Sequence, residues 1–257
     1  MAIGVNVTMR FRSILYLTLI VTLLTGCDVL IPVLFHEILP RFPRTYSSQS
    51  IEGWVVDSDT GEPLKDVVVV ADWTIWGGIE GGSPKDHIVH EAVTDAKGHY
   101  YIPAWGPTQM PTIGSFQSSD PWLIFFKEQY EYTAKGNDTF SAGYLGYSEW
   151  SGKSIKLKRF QGDALQYDGG MLEINLRHII EDGDGCGWMK IPLLLREASR
   201  QNNFLKKHGR KNLLFFYSLN KHGYISSNVL GNNESFTRQC GQSPKQFFKD
   251  YLNETFM

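Results

Sequence analysis

Cysteine is scarce, neither sign of charge prevails, and the main apolar run is too short to be a comfortable bilayer span. Three cysteines among 257 residues exclude a disulfide-dense miniprotein. The 25 Lys plus Arg stand against 27 Asp plus Glu, a balance that gives no electrostatic reason to expect a nucleic-acid partner. Charged residues make up only 20% of the chain while 13% are aromatic, which excludes a chain too polar to collapse. What is present is apolar content of 42%, enough for a real core in one large domain or two small ones.

Arg10 and Arg12 precede Ile14–Leu24, whose only polar members are Tyr16, Thr18 and Thr22. A basic start followed by roughly a dozen apolar residues is the layout of a secretory signal. The run ends in Leu24-Thr25-Gly26-Cys27, which resembles the lipobox of bacterial lipoproteins. That resemblance implies a signal peptide over 1–26 and a mature N-terminus at Cys27, whose thiol carries a diacylglycerol with palmitate-type chains. Small Thr25 and Gly26 let the backbone enter a peptidase cleft. The competing reading is an uncleaved anchor with an incidental cysteine. Either Met1 or Met9 is the start, Met9 opening the more ordinary signal.

Asp28 matches the enteric rule that holds a lipoprotein in the inner membrane. The periplasmic face of that membrane is therefore expected; the outer membrane stays open, because the rule varies between organisms. Residues 27–48 read as a membrane-proximal tether. Its apolar Val29–Phe35 either lies on the membrane surface or packs back on the domain. With Cys27 taken, Cys186 and Cys240 remain. Leftover thiols in an oxidising compartment pair more often than not, so a disulfide is expected. Two free thiols or half of a metal site are the alternatives.

Residues 49–160 have the short β-rich runs and turn signals of an all-β sandwich. Strands are expected at Ser50–Asp57, Val67–Trp73, Ile88–Thr94, His99–Ile102, Trp122–Phe126 and Ile155–Leu157. Val67–Trp73 is apolar on both faces, so it should be central. Turns fall at Asp59–Leu64 and Asp95–Gly98. A long flexible connection is expected over Gly77–Pro84, and a loop around Pro103, Pro107 and Pro111.

The order of these residues resembles a carboxypeptidase regulatory-like domain, a prealbumin-like sandwich. The resemblance is carried by Ile51-x-Gly53-x-Val55-Val56-Asp57, Thr60-Gly61-x-Pro63-Leu64, Val67-x-Val69, Thr94-Asp95-x-x-Gly98-x-Tyr100-x-Ile102 and Leu123-x-Phe125. It covers residues 49 to about 130. The chain departs from the pattern in its long Gly- and Trp-rich connection from Trp73 to His87, and in Gln129-Tyr130 where the family often has Gly-Tyr. The resemblance implies a folded, non-catalytic platform, sometimes a binding one, and transfers no active-site residue.

Residues 161–257 read as a helical extension. Apolar positions recur at helical spacing over Met171–Asp182 and again from Ile191 to Leu205, with Pro192 in the first turn and Gly209 as the stop. Ser243-Pro244-Lys245-Gln246 opens a last helix striped by Phe247, Phe248, Tyr251 and Leu252. These stripes either pack on each other and the sandwich or seat in a partner's groove.

Motifs for reaction chemistry are largely absent from the sequence. Ser151-Gly152-Lys153-Ser154 lacks the glycine that a phosphate loop needs five positions before Gly152, and Asp182–Cys186 lacks the acid that closes a calcium loop. His87 and His90 are three apart, which on a strand puts them on opposite faces and argues against a metal site. No nucleophile elbow and no His-Glu-x-x-His motif occur. Tryptophans are the remaining lead. Trp54, Trp73 and Trp122 are expected in the core; Trp76 and Trp105 either fill the core or cover its open end, or form a binding loop.

The expectation is a mainly β protein with a small helical region: a membrane-anchored envelope lipoprotein that binds or scaffolds a protein or glycan partner. It is non-enzymatic, with no cofactor and no metal. The alternatives are an envelope hydrolase or peptidase accessory with its site at the sandwich–helix junction, or a purely structural lipoprotein.

Overall fold

Ile51–Asp57 alternates buried and solvent-facing residues, the signature of a sheet with one covered face. Val67–Ile75 is buried without interruption, as befits a strand covered on both sides. These two segments organise the fold seen in the computed structural model. It describes residues 45–77, 83–109, 114–139, 142, 146–163, 167, 179–180, 186–209, 240–242 and 247. The chain divides into two compact units, Met1–Pro43 and Arg44–Met257, and all described residues belong to the second. Cys27 and the signal segment lie outside the described residues.

The strands are β1 (Thr45–Ser48), β2 (Ile51–Asp57), β3 (Val68–Gly77), β4 (Ser83–Val93), β5 (His99–Ile102), β6 (Trp105–Gln109), β7 (Gly114–Ser115), β8 (Trp122–Phe126), β9 (Thr133–Lys135) and β10 (Lys153–Leu157). A 3-10 turn, Gly187–Lys190, precedes helix α1 (Pro192–Lys207). The smaller sheet has the order β10-β2-β5, with β10 parallel and β5 antiparallel to β2. The larger sheet runs β4-β3-β8-β9, with β7 on the end of β3. A separate ribbon pairs β1 with β6. The protein is mainly β with a small helical region, as the sequence predicts.

One core lies between the sheets. Ile51, Val55, Tyr100, Ile102, Ile155 and Leu157 from the smaller sheet meet Val69, Ala71, Trp73, Ile75, Leu123 and Phe125 from the larger. A second core lies on the far side of the larger sheet, where Val68, Val70, Ile124 and Phe126 pack against Trp188, Ile191, Leu194, Leu195 and Ala198. The molecule is thus layered as small sheet, large sheet, helix. Burying a Val, Leu or Ile is worth roughly 1.5–3 kcal/mol, so both faces of β3 contribute.

The turns follow from local side chains. Asp57 accepts the backbone N–H groups of Thr60 at 3.1 Å and Asp59 at 2.9 Å, and the Tyr130 hydroxyl at 2.9 Å. Those donors, the Thr60 amide first, hold its carboxyl below the usual carboxylate range. The next turn is built by Thr94, whose hydroxyl bridges the Val67 amide and the Leu64 carbonyl. Asp95 accepts the amides of Lys97 and His99. Gly98 sits at φ +71°, where an added Cβ would meet the Val55 carbonyl oxygen at 2.4 Å. The Thr-Asp-x-x-Gly spacing is therefore a requirement of geometry.

Helix α1 starts at Pro192, and Ile191 at its N-cap supplies no side-chain bond. Glu91 of β4 supplies it instead, accepting the Leu193 and Leu194 amides at 2.9 and 2.8 Å. Further along, Glu197 and Gln201 accept the amides of Glu128 and Gln129 after β8. Cys186 and Cys240 form a disulfide, with 5.6 Å between their Cα atoms, as expected. Phe247 packs edge-on against Trp188 at 5.3 Å. Most of Met171–Asp182 and the rest of the Ser243-led stripe lie outside the described residues.

Three local expectations need correction. The Gly77–Pro84 connection is narrower than expected, because β3 continues to Gly77 and β4 begins at Ser83; residues 78–82 lie outside the described set. The Pro103–Pro111 loop contains β6, which tolerates Pro107 because, among the described residues, its only partner strand is β1. Among the described residues, regular structure is already present at Thr45–Ser48, ahead of position 49, because β1 supplies that partner.

Candidate functional site

Strand parity decides which aromatic side chains reach solvent. On β2, Ile51, Gly53 and Val55 point inward, so Glu52 and Trp54 point outward. Gly53 leaves room for Tyr100, since a Cβ there would lie 2.8 Å from the Tyr100 hydroxyl. Trp54 is 38% exposed, Tyr101 53% and Trp122 41%; these are the exposed large hydrophobics among the described residues. The expectation that Trp54 and Trp122 fill the core is therefore wrong. Trp73 is fully buried, as expected.

Trp54 and Tyr101 share the outer face of the smaller sheet. β2–β5 register sets Trp54 opposite His99 and Glu52 opposite Tyr101, and β2–β10 register sets Ser154 opposite Trp54. The Trp54 and His99 rings are 5.3 Å apart, tilted at 53°. His99 Nε2 lies 3.5 Å from Glu52 Oε2. Lys156 is exposed on the neighbouring strand.

The candidate binding-loop pair, Trp76 and Trp105, lies on β3 and β6, away from this face. Trp105 is half-buried, standing edge-on to Trp73 at 5.3 Å and near-parallel to His90 at 6.3 Å, with Phe116 at 6.0 Å. The buried indole N–H groups of Trp73 and Trp105 have no acceptor among the described residues. Desolvation pushes the His90 imidazole pKa down. Trp76 is also half-buried, and its backbone pairs with Ser115 of β7. No ring contact joins Trp76 to Trp105 among the described residues.

At the sandwich edge, Trp150 donates its indole N–H to the Gly136 carbonyl at 2.7 Å. The Nζ atoms of Lys135 and Lys153 each lie 4.8 Å from the centre of its ring. Both ammonium groups are thus placed for cation–π contact with this indole.

A buried polar cluster lies on the helix side of the larger sheet. His87 and His90 do face opposite sides of β4: His90 meets Trp105, while His87 Nδ1 lies 2.9 Å from Asp72 Oδ1 and 3.3 Å from Thr74 Oγ1. Asp120 is buried beside them. Burial pushes its pKa up to about 7, with the Asp72 charge adding to the rise, against the opposing amides of Gln117 and Thr74 and the His87 imidazole. Lys190 donates to the His87 carbonyl at 2.7 Å, tying the cluster to the turn before α1. Glu91, under the helix start, is likewise pushed up to about 7 by burial. Such groups can hold or exchange a proton, yet Asp72, Thr74, His87 and Asp120 are all buried. Among the described residues, no group of three or more His, Cys, Asp or Glu is arranged to hold a metal, and no helix is long and apolar enough to cross a membrane.

Sequence reasoning missed Trp54, although period-two alternation through Ile51, Gly53 and Val55 carries the signal. It also missed the Asp72–His87 pair and the Glu91 cap, which depend on β3–β4 register and on helix placement.

No family model matches the chain, and no curated protein matches it at a significant level. Among solved structures it is similar to a 3-chlorocatechol 1,2-dioxygenase from Rhodococcus opacus 1CP, at 17% identity and a TM-score of 0.25, over 46% of this chain and 61% of that one. It is also similar to a 9R-lipoxygenase from Cyanothece PCC8801, at 15% identity and a TM-score of 0.27, over 71% of this chain and 30% of that one. The chain thus spans less than two thirds of either protein, and likenesses this slight carry no argument about function.

Proposed function

We propose that the protein is a lipid-anchored module of a bacterial cell envelope, non-catalytic, that binds or scaffolds a protein or glycan partner. The Leu24-Thr25-Gly26-Cys27 box supports the anchor. The observation that carries the binding role is the solvent-facing pair Trp54 and Tyr101 on the outer face of the smaller sheet. Exposed aromatic rings on a rigid strand give contact area without loop-ordering cost. Asp28 supports the periplasmic face of the inner membrane as the site of attachment.

Crosslinking in intact cells, followed by purification of the tagged protein, tests this reading. It expects a reproducible partner in the membrane fraction, with Cys27→Ala shifting the protein to the soluble fraction. Recovery of bulk envelope material alone counts against binding, and unchanged fractionation of Cys27→Ala counts against the anchor. The Asp72–His87–Asp120 cluster lends some support to the second reading, a hydrolase with its site at the sandwich–helix junction, but its burial favours a structural role.

A further inference from the structure

We infer that the outer face of the smaller sheet is a binding surface for an uncharged glycan chain, with Trp54 as its stacking platform. The inference deepens the binding-module reading and rests on it. Register places Trp54 and Glu52 of β2, His99 and Tyr101 of β5, and Ser154 and Lys156 of β10 on this one face. The alternate residues of the same strands fill the core, and α1 packs on the other sheet. Solvent reaches both large rings: more than a third of Trp54 and about half of Tyr101 are exposed.

The chemistry of the face selects its occupant. A pyranose offers a C–H face to an aromatic ring and a rim of hydroxyls that both donate and accept hydrogen bonds. Trp54 supplies the ring, and the neighbouring His99 imidazole restricts the indole from one side. Glu52 stands directly opposite Tyr101 and supplies an acceptor; the Tyr101 and Ser154 hydroxyls act in both senses, and Lys156 donates. Rings and hydrogen-bonding groups alternate, so each ring has a polar neighbour within one residue spacing. One acid and one lysine cancel, so the face has no reason to prefer a charged polymer. A lipid surface fits less well, because the Glu52 carboxylate shares this face, opposite Tyr101 and two residues from Trp54, and would have to leave water. A sheet face unwalled by its own side chains suits a polymer running across it better than a small molecule held on all sides.

Titration of the purified full-length protein with chitohexaose and with cellohexaose, followed by tryptophan emission and calorimetry, tests the inference. At least one oligosaccharide should bind saturably and shift indole emission. Trp54→Ala should weaken that binding by about tenfold or more, and Tyr101→Ala by a smaller factor. Trp122→Ala, exposed on the other sheet, should leave affinity within about twofold. Near-ultraviolet dichroism from buried Trp73 and Trp188 verifies that each variant is folded. Absence of saturable binding to both sugars overturns the inference, as does equal loss in Trp54→Ala and Trp122→Ala. Trp54-dependent binding to phosphatidylglycerol vesicles, with both sugars ignored, also overturns it and points to a membrane surface. A crosslinked partner in cells that survives Trp54→Ala would leave the binding-module reading standing while this inference falls.

Discussion

The two sheets of the sandwich spend their apolar residues differently. β2 in the smaller sheet alternates, with Ile51 and Val55 inside and Glu52 and Trp54 outside. β3 in the larger sheet has no solvent side: Val69, Ala71 and Trp73 face the smaller sheet, while Val68 and Val70 face the helical layer. The smaller sheet therefore has an open outer face, while the larger is covered on both sides along Val67–Ile75 and reaches solvent at its Trp122 end. The contrast also explains why β3 changes character at Asp72. Beyond the reach of α1, the helix-side positions become Asp72 and Thr74, satisfied by His87. Burying them costs stability unless they are bonded, and they are.

The difference is sharpest under truncation. Trp73→Ala removes a large side chain from the two-sheet core and should cost about 3–5 kcal/mol in urea unfolding. A cost near that of a surface change would break the contrast. Opening the Cys186–Cys240 bridge by Cys240→Ser releases a loop across a separation of 54 residues, and should cost about 2–4 kcal/mol. The loss should appear first in the helical layer, as faster amide exchange of α1 than of β3.

Acidity sharpens the same comparison, because both carboxyls pushed up to about 7 are buried at the larger sheet: Glu91 within β4 and Asp120 in the turn just before β8. Their folded pKa values exceed the unfolded ones, so the folded protein binds more protons between roughly pH 4 and pH 7. Their contribution is fully present below the unfolded values and is lost as pH rises through about 7. Each group adds a slope of up to about 1.4 kcal/mol per pH unit within that window. Asp57 and Asp95, held low by backbone amides, act in the opposite sense, below about pH 4. A Tm series from pH 4 to 8 should show the high-pH decline, and Glu91→Gln should flatten it. The smallest effect is reserved for the open face, where Trp54→Ala should change stability by no more than about 0.5 kcal/mol.

Much of this was legible in the sequence wherever the determinants are local. The Asp57–Gly61 and Thr94–Gly98 turns are written in side chains that bond amides two to four residues away. The bridge follows from elimination among three cysteines. α1 announces itself by Pro192 and ends before Gly209, at φ +88°. The β1–β6 ribbon was not legible, because neither segment has an apolar period and each is defined by the other. The Glu91 cap was hidden for the same reason: its partners lie about a hundred residues away. The outward aim of Trp54 was readable but was overridden by its hydrophobicity. Parity is the stronger rule on a two-layer sheet, since a one-residue shift would expose Ile51 and Val55 instead.

Hydroxyl-radical footprinting of the tryptophans and tyrosines in the native protein tests the central claim most directly, because it reads the open and the covered face at once. The account predicts rapid modification of Trp54, Tyr101 and Trp122, with Trp73 and Trp188 protected until the protein unfolds. Protection of Trp54, or modification of Trp73 and Trp188 at the rate of Trp54, would contradict it.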